Sequence, residues 1–291
     1  MSLISKKRIL IVTQDMAPFL ALDEYIADIV YSLPQFLLEQ GAEVRVLMPR
    51  FGLINERRHH LHEVVRLSGI NIIIDEDDYP LLIKVASLPS ARIQVYFLYN
   101  DDFFKRRAIF TDDKDNFFDD NAERMIFFCK GVLETVRKFG WAPNVIHCHG
   151  WMTSLLPLYA KTAYKSDPIF VNSKVIYSVY NNQFEELLNP NFLQKAVIKR
   201  VEADDLQPYL DMDNNGLHKG AIHYADAIVA AQNPELDPDI ALFLENYTDK
   251  PILVHQFEEE ALVGYADLYE RILTEEKDIK PNEDGEQTDV S

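Results

Sequence analysis

Short apolar runs rich in β-branched residues alternate along the chain with stretches of helical spacing. The strand candidates are "RILIVT" (8–13), "EVRVLMP" (43–49), "NVIHCH" (144–149), "KVIYSVY" (174–180), "DAIVAA" (226–231) and "PILVH" (251–255). The helix candidates are about Asp23 to Gln40, residues 119–140 and "TSLLPLYAKTAY". Strands that alternate with helices predict an α/β fold with a single Rossmann-like, doubly wound, mostly parallel sheet. Further strand-like runs within residues 63–99 predict a small β-hairpin excursion from that sheet.

Parallel sheets bind ligands outside the carboxyl ends of their strands, so the residues that follow each strand are the first candidates for a site. His147 and His149 are two apart on one strand, and their side chains therefore point to the same face. That spacing is compatible with a metal clip, but no third ligand is evident nearby. We favour a buried His147 and treat His149 as a candidate ligand-facing residue.

Other polar clusters have ordinary explanations. "RRHHLHE" (57–63) could bind a transition metal, but a mixed-charge surface loop is the commoner cause of such a pattern. Acidic pairs are frequent, and most are expected to be solvated or to cap helices. The pairs are Asp23/Glu24, Asp112/Asp113, Asp119/Asp120 and Glu185/Glu186. We expect Asp119 or Asp120 to cap the helix that follows.

The overall charge narrows the classes of partner. The chain of 291 residues has 29 basic and 47 acidic residues and a formal charge of -18. A field of that sign repels nucleic acid and anionic lipid, so neither is expected as a partner. Two cysteines, Cys129 and Cys148, fall in apolar patterns and are expected to be buried thiols of a cytoplasmic protein. The apolar runs are shorter than the roughly 18 residues that span a bilayer, so no membrane-spanning helix is expected. No cofactor or metal is expected either.

No phosphate-binding motif is visible. The sequence contains neither G-x-x-x-x-G-K-[ST] nor G-x-G-x-x-G, and the turn after the first strand, "QDMAPFLALDEYIAD", has no glycine. Without glycine, backbone N–H groups cannot approach a diphosphate closely. A G-x-S-x-G nucleophile elbow is also absent, and a hydrolase that uses His149 has no partner nucleophile.

Five blocks of the sequence resemble the N-terminal domain of bacterial glycogen and starch synthases. The blocks are "ILIVTQDMAPF", "ADIVYSLPQFLLEQGAEVRVLMPRFGLI", "DDNAERMIFFCKGVLE", "FGWAPNVIHCHGWMTSLLPLYAK" and "HKGAIHYADAIVAA", in family order within about residues 8–231. The resemblance implies the N-terminal half of a GT-B fold, in which two Rossmann-type halves meet. It also implies glucose transfer from ADP- or UDP-glucose to an α-1,4-glucan, with retention and without a metal.

The departures from the family pattern lie at its ligand-binding positions. The family's A-P-[FY]-x-K-x-G-G-L-A-D, whose lysine and glycines hold the sugar nucleotide, is "APFLALDEYIAD" here. An acid in place of that lysine would repel a diphosphate. The family's H-D-W becomes His149-Gly150-Trp151, and its T-I-H-N becomes a run ending in Tyr180-Asn181. Asp15 replaces a family glutamate. The resemblance makes Asp15, His149, Trp151, Tyr180 and Asn181 the candidate substrate-binding residues, with His149 the one catalytic candidate.

Length is the largest departure. The family carries a second domain of roughly 200 residues, and only about sixty residues follow "DAIVAA" here. We expect a synthase-like domain over residues 1–255, a helix over 256–274 and an acidic disordered tail over 275–291. The helix resembles the family's closing helix, which implies that the donor domain has been excised. Its predicted apolar face consists of Leu262, Tyr265, Leu268, Tyr269 and Ile272. An unrelated terminal helix is the alternative.

Two functions follow from the resemblance. One is a pseudoenzyme without independent transferase activity, which binds glucan or associates with a full-length glycogen synthase as a regulator or scaffold. The other is an active glucosyltransferase that a partner chain completes. The expected partners are therefore α-glucan, a full-length synthase or a second copy of the chain. Trp151 could stack on a sugar ring or pack in the core.

Overall fold

The computed structural model describes residues 3–88, 91–181, 184–231, 235–247, 250–255 and 261–274. The strands are β1 (Arg8–Thr13), β2 (Glu43–Pro49), β3 (His62–Glu63), β4 (Ile70–Ile74), β5 (Asp77–Ser87), β6 (Gln94–Tyr99), β7 (Val145–His149), β8 (Lys174–Val179), β9 (Ala227–Ala231) and β10 (Ile252–His255). The helices are α1 (Glu24–Glu39), α2 (Asp101–Phe104), α3 (Asn121–Phe139), α4 (Leu155–Lys161), α5 (Phe192–Ala196), α6 (Asn214–Tyr224), α7 (Pro238–Glu245) and α8 (Ala261–Thr274). Two 3-10 segments cover Trp151–Thr153 and Ala203–Tyr209.

The described strands form one mixed sheet in the order β10-β9-β8-β7-β1-β2-β6-β5-β3, and β4 pairs with β5. From β10 to β6 every neighbouring pair is parallel. Strands β1, β7 and β9 are almost completely buried along their lengths, as expected when helices cover both faces of a parallel sheet. The predicted α/β, mostly parallel fold is confirmed.

The excursion differs in detail from its prediction. The hairpin consists of β4 and β5, which pair antiparallel through Ile70–Leu81 to Ile74–Asp77. The last run, β6, instead joins the main sheet parallel to β2, and β5 pairs antiparallel with it. The excursion therefore extends one edge of the parallel sheet.

Helix ends follow the local sequence in two cases and not in a third. The Asp23 side chain caps α1 by accepting from the N–H groups of Tyr25 and Ile26. Gly140 ends α3 in the left-handed conformation, with φ of 64°. Asp120 stands at the N-cap of α3 but makes no side-chain cap bond. Its carboxylate pairs with Arg106 instead, so the expected cap is wrong at this position.

Helix α8 lies against the sheet, beside β10 and α1. Of its predicted apolar face, Tyr265, Leu268, Tyr269 and Ile272 are buried, and Leu262 packs partly buried against the core. This packing is what the excision hypothesis requires. The hypothesis stays a prediction, because any helix with such a face would bury it in the same way. Residues 256–260 and the predicted acidic tail, 275–291, lie outside the described residues.

The two cysteines are free and buried, as predicted. None of the helices in the described ranges combines the length and the hydrophobicity needed to cross a bilayer.

Candidate functional site

The strand order reverses between β1 and β7. From β1 the chain proceeds outward to β2 and β6, and β7 then returns to the other side of β1. Thr13, the last residue of β1, lies opposite His149, the last residue of β7. Such a reversal opens a crevice at the carboxyl ends of the strands, where open α/β sheets bind their ligands. All five predicted substrate-binding residues lie at or just after such a strand end. Asp15 follows β1, His149 and Trp151 lie at the end of β7, and Tyr180 and Asn181 follow β8.

Behind this crevice lies a buried group that we call the histidine–tyrosine cluster. It consists of His147, His149, His255, Tyr180, Tyr265 and Tyr269, each at most 3% exposed. The rings of His147 and His149 are 4.0 Å apart, which confirms that both face the same side of β7. The opposite side of β7 faces α3, where Cys148 approaches Cys129.

Hydrogen bonds join the two histidines of β7 to α8, to β8 and to Tyr180, which follows β8. His147 Nδ1 is 2.6 Å from the hydroxyl of Tyr269 on α8, and its Nε2 is 2.7 Å from the hydroxyl of Ser178 on β8. His149 Nδ1 is 2.7 Å from the hydroxyl of Tyr180. His149 Nε2 and both ring nitrogens of His255 are buried and have no hydrogen-bond partner among the described residues.

Burial keeps these imidazoles neutral. It is the main reason that the pKa of His149 falls to about 3, and the nearby His255 lowers it further. Burial likewise lowers the pKa of His255 to about 4 and that of His147 well below its ordinary value. Neutral, fully packed imidazoles contact no solvent in this conformation. His149, the predicted ligand-facing residue, is instead completely buried, and the ring of Tyr180 lies against it.

In the first turn, residues 14–23, carboxylates of the turn accept hydrogen bonds from the backbone N–H groups at the start of α1. Asp15 Oδ2 accepts from the backbone N–H of Leu22 at 2.6 Å and of Asp23 at 2.7 Å. Asp23 in turn caps the first N–H groups of α1, as described above. Burial raises the pKa of Asp15 to about 6, and the two backbone bonds oppose that rise. The amides that begin α1 are thus already bonded to two acidic side chains.

Gly150, which stands where the family has an aspartate, is held in place by close packing. Gly150 has φ of 83° and ψ of 158°, a region that only glycine readily adopts. A Cβ there would lie 2.5 Å from Gln14 Oε1. That oxygen accepts from the Met152 N–H at 3.1 Å. The Gln14 side chain therefore occupies the space into which an aspartate at position 150 would project.

In front of the cluster lies an open depression of about 730 Å³, which we call the aromatic cleft. Gln14, Phe110, Phe117, Trp151, Asn181 and Phe184 line it. The rings of Phe117 and Phe184 stack 4.9 Å apart and are partly exposed. Trp151 is only 2% exposed and packs behind them, 4.6 Å from Phe110 and 5.0 Å from Phe184.

The charge of the aromatic cleft is negative. Asp23 and the exposed Glu186 line it, and none of its described lining residues is a lysine or an arginine. Asn181 is partly exposed, and its Nδ2 donates to the Glu235 carbonyl at 2.6 Å. Of the five predicted site residues, Trp151 and Asn181 thus share this cleft, whereas Asp15, His149 and Tyr180 are buried behind it.

The two histidine motifs show no metal site. Across the described parts of the chain, no three His, Cys, Asp or Glu side chains come together as metal ligands. In the loop 57–63, His59 packs edge-on against Phe19, 5.0 Å between ring centres, and His60 is exposed.

Comparison with known proteins identifies the family and agrees with the fold. The sequence profile of the starch synthase catalytic domain matches residues 8–233, and the chain belongs to this family. Glycogen synthase of Chlorobium limicola is 40% identical over 234 residues, which cover 76% of this chain and 47% of that protein. Glycogen synthase of Chlorobaculum tepidum is 42% identical over 229 residues, 78% of this chain and 46% of that protein.

The chain thus spans about half the length of these relatives. A solved structure, the catalytic domain of starch synthase IV from Arabidopsis thaliana bound to ADP and acarbose, superimposes with a TM-score of 0.68. It covers 86% of this chain and 51% of that one at 17% identity, which supports the fold.

Sequence reasoning missed three features of the site. The hydrogen bonds from the turn amides to Asp15 are not predicted, although an acid two residues after β1 and nine before α1 is the signal for them. The entry of Gln14 beside Gly150 had no signal in the sequence. The hydrogen bond that joins α8 to β7 links residues 122 apart in the chain, His147 and Tyr269.

Proposed function

We propose that this chain is a synthase-related protein of α-glucan metabolism that binds glucan in the aromatic cleft and has no glucosyltransferase activity of its own. The observation that supports the absence of transferase activity is the hydrogen bonding of the Asp15 carboxylate to the Leu22 and Asp23 amides. In the family to which the chain belongs, this turn holds the diphosphate of the sugar nucleotide. Here an incoming diphosphate would meet two carboxylates, and like charges at close range repel.

The chemistry of the aromatic cleft supports a neutral ligand. Partly exposed phenylalanine rings offer apolar faces on which a sugar ring can pack. The amide of Asn181 and the carboxylates of Asp23 and Glu186 offer partners for sugar hydroxyl groups. A cleft of this size is within the range of small-molecule sites. A glucan segment fits this lining, whereas a sugar nucleotide finds no cation in it.

Retention of the protein by glycogen tests the binding part. We expect native electrophoresis in gels that contain glycogen to slow the protein, and the variant Phe117→Ala with Phe184→Ala to lose that retardation. Phe243→Ala is the matched control, because Phe243 is also partly exposed and lies on α7, outside the cleft. Equal retardation of both variants would refute the cleft as the glucan site.

Transfer of labelled glucose into glycogen tests the second part. We expect no incorporation from ADP-glucose or UDP-glucose with this chain alone. Incorporation by the lone chain would overturn the proposal. Incorporation that appears only when a full-length synthase lacking its own activity is added would instead support the alternative, a transferase completed by a partner chain.

A further inference from the structure

A second depression, of about 490 Å³, shares no lining residue with the aromatic cleft. It lies between β4, the second half of α3, the connection after α4 and residues 198–200. Four cationic side chains line it, and we call it the basic groove: Lys130, Arg137, Lys199 and Arg200. Its acidic residues are Glu134 and Asp167. The chain as a whole has 29 basic and 47 acidic residues, whereas the groove has more basic than acidic residues.

Two of the cations form one wall and are already engaged. Lys130 and Arg137 are seven residues apart on α3 and so lie on the same side of that helix. Lys130 donates to the Ile73 carbonyl, and Arg137 pairs with Glu134. Glu134 also accepts from the Tyr164 hydroxyl at 2.6 Å. The one acid close to this wall is therefore committed to protein partners and does not neutralise the opposite wall.

The opposite wall is a tight turn that presents two adjacent cations. The Val201 N–H donates to the Ile198 carbonyl at 2.8 Å. Arg200, between them, has φ of 73°, a left-handed conformation that is unusual for a residue with a side chain. Lys199 and Arg200 are both exposed, and no carboxylate in the described chain forms an ion pair with either.

We propose that the basic groove binds a small phosphorylated organic molecule. Phosphate oxygens form strong charge-assisted hydrogen bonds with lysine and arginine. The volume of the groove is within the range of small-molecule sites. Ile72, Pro168 and Ile198 supply an apolar lining for the organic part. An acidic polymer is disfavoured, because it would extend from this local patch over the negative surface of the rest of the chain.

Isothermal titration calorimetry at low ionic strength tests the proposal, with phenyl phosphate and inorganic pyrophosphate as probes. We expect saturable binding of both, and a rise of about tenfold or more in Kd in the double variant Lys199→Ala with Arg200→Ala. The matched control is Arg57→Ala with Arg58→Ala. It removes the same charge from exposed residues outside the groove and should leave Kd within about twofold.

Three results would overturn the proposal. They are no binding of either probe, an equal loss of affinity in both double variants, and binding of polyglutamate in preference to phenyl phosphate. The first would show that the groove is not a phosphate site, the second that only the general charge of the surface matters, and the third would identify an acidic protein segment as the ligand. Thermal unfolding of each variant without ligand checks that the fold is intact. Glycogen retention is measured in parallel, and its loss or persistence bears only on the aromatic cleft.

Discussion

Lowering the pH from 7.5 to 5 should destabilise this protein strongly, because several of its histidines are buried in the neutral state. A histidine in the unfolded chain has a pKa of about 6.5 and takes up a proton over this interval. In the folded chain the pKa of His149 is about 3 and that of His218 about 4, so both stay neutral at pH 5. Each lowered pKa therefore contributes stability that is present above pH 6.5 and is lost as the pH falls towards the folded value.

The size of this loss of stability follows from the width of the pH interval below the unfolded pKa. Between pH 6.5 and 5 each of these two groups loses about 2 kcal/mol, at about 1.4 kcal/mol per pH unit, or about 4 kcal/mol together. Asp15 acts in the opposite direction. Its folded pKa of about 6 lies above the unfolded value, so it gains about 1 kcal/mol on the same change. The net loss is about 3 kcal/mol, and His147 and His255, whose pKa values are also lowered, add to it.

Urea unfolding, followed by the fluorescence of Trp141 and Trp151, measures this loss at the two pH values. In His149→Asn, where an amide can still pair with Tyr180, the loss should shrink by about 2 kcal/mol. His60→Gln is the control, because His60 is exposed and its removal should change nothing. Equal stability of the native protein at both pH values, or an unchanged loss in His149→Asn, would refute the assignment of neutral, buried imidazoles.

Three further substitutions test individual contacts. Gly150→Asp should destabilise the fold by about 3 kcal/mol or more, since it combines a glycine-only conformation with a 2.5 Å clash against Gln14; a melting temperature within a degree of the native value would contradict this. Tyr269→Phe should lower the free energy of unfolding in urea by about 1–2 kcal/mol, because His147 Nδ1 loses its partner in a buried site. The control Leu242→Ala, at an exposed position, should lower it little. Asp15→Ala should cost about 1–3 kcal/mol and speed the hydrogen exchange of the Leu22 and Asp23 amides, and unchanged exchange would disprove their bond to the carboxylate.

The strands and helices could be predicted from the sequence because their signals are local. The run "RILIVT" is buried on both faces and reads as a continuous apolar segment, and Gly140 ends α3 in the left-handed conformation that glycine favours. The cap expected of Asp120 failed because Arg106, fourteen residues earlier, competes for the same carboxylate. A local pattern gives no information about such a competitor.

The candidate site could be located but not described from the sequence. Residues after β1, β7 and β8 were expected to meet, and the topology brings them together. Their exposure depends on α8, which places Tyr265 and Tyr269 against His147. Contacts over such separations follow from the packing of whole elements, and residue types at the strand ends do not determine them.

Two of the departures from the family pattern are tied to neighbouring side chains, and this bears on the proposed absence of glucose transfer. Gly150 leaves room for Gln14, and Gln14 then bonds the Met152 N–H. Tyr180 supplies the hydroxyl that pairs with His149, whose ring lies 4.0 Å from that of His147. Residues that share partners do not change independently. We therefore expect Tyr180→His alone to yield no glucose transfer and to lower the melting temperature. Transfer activity in that single variant would show that the remaining substitutions leave the ligand site usable.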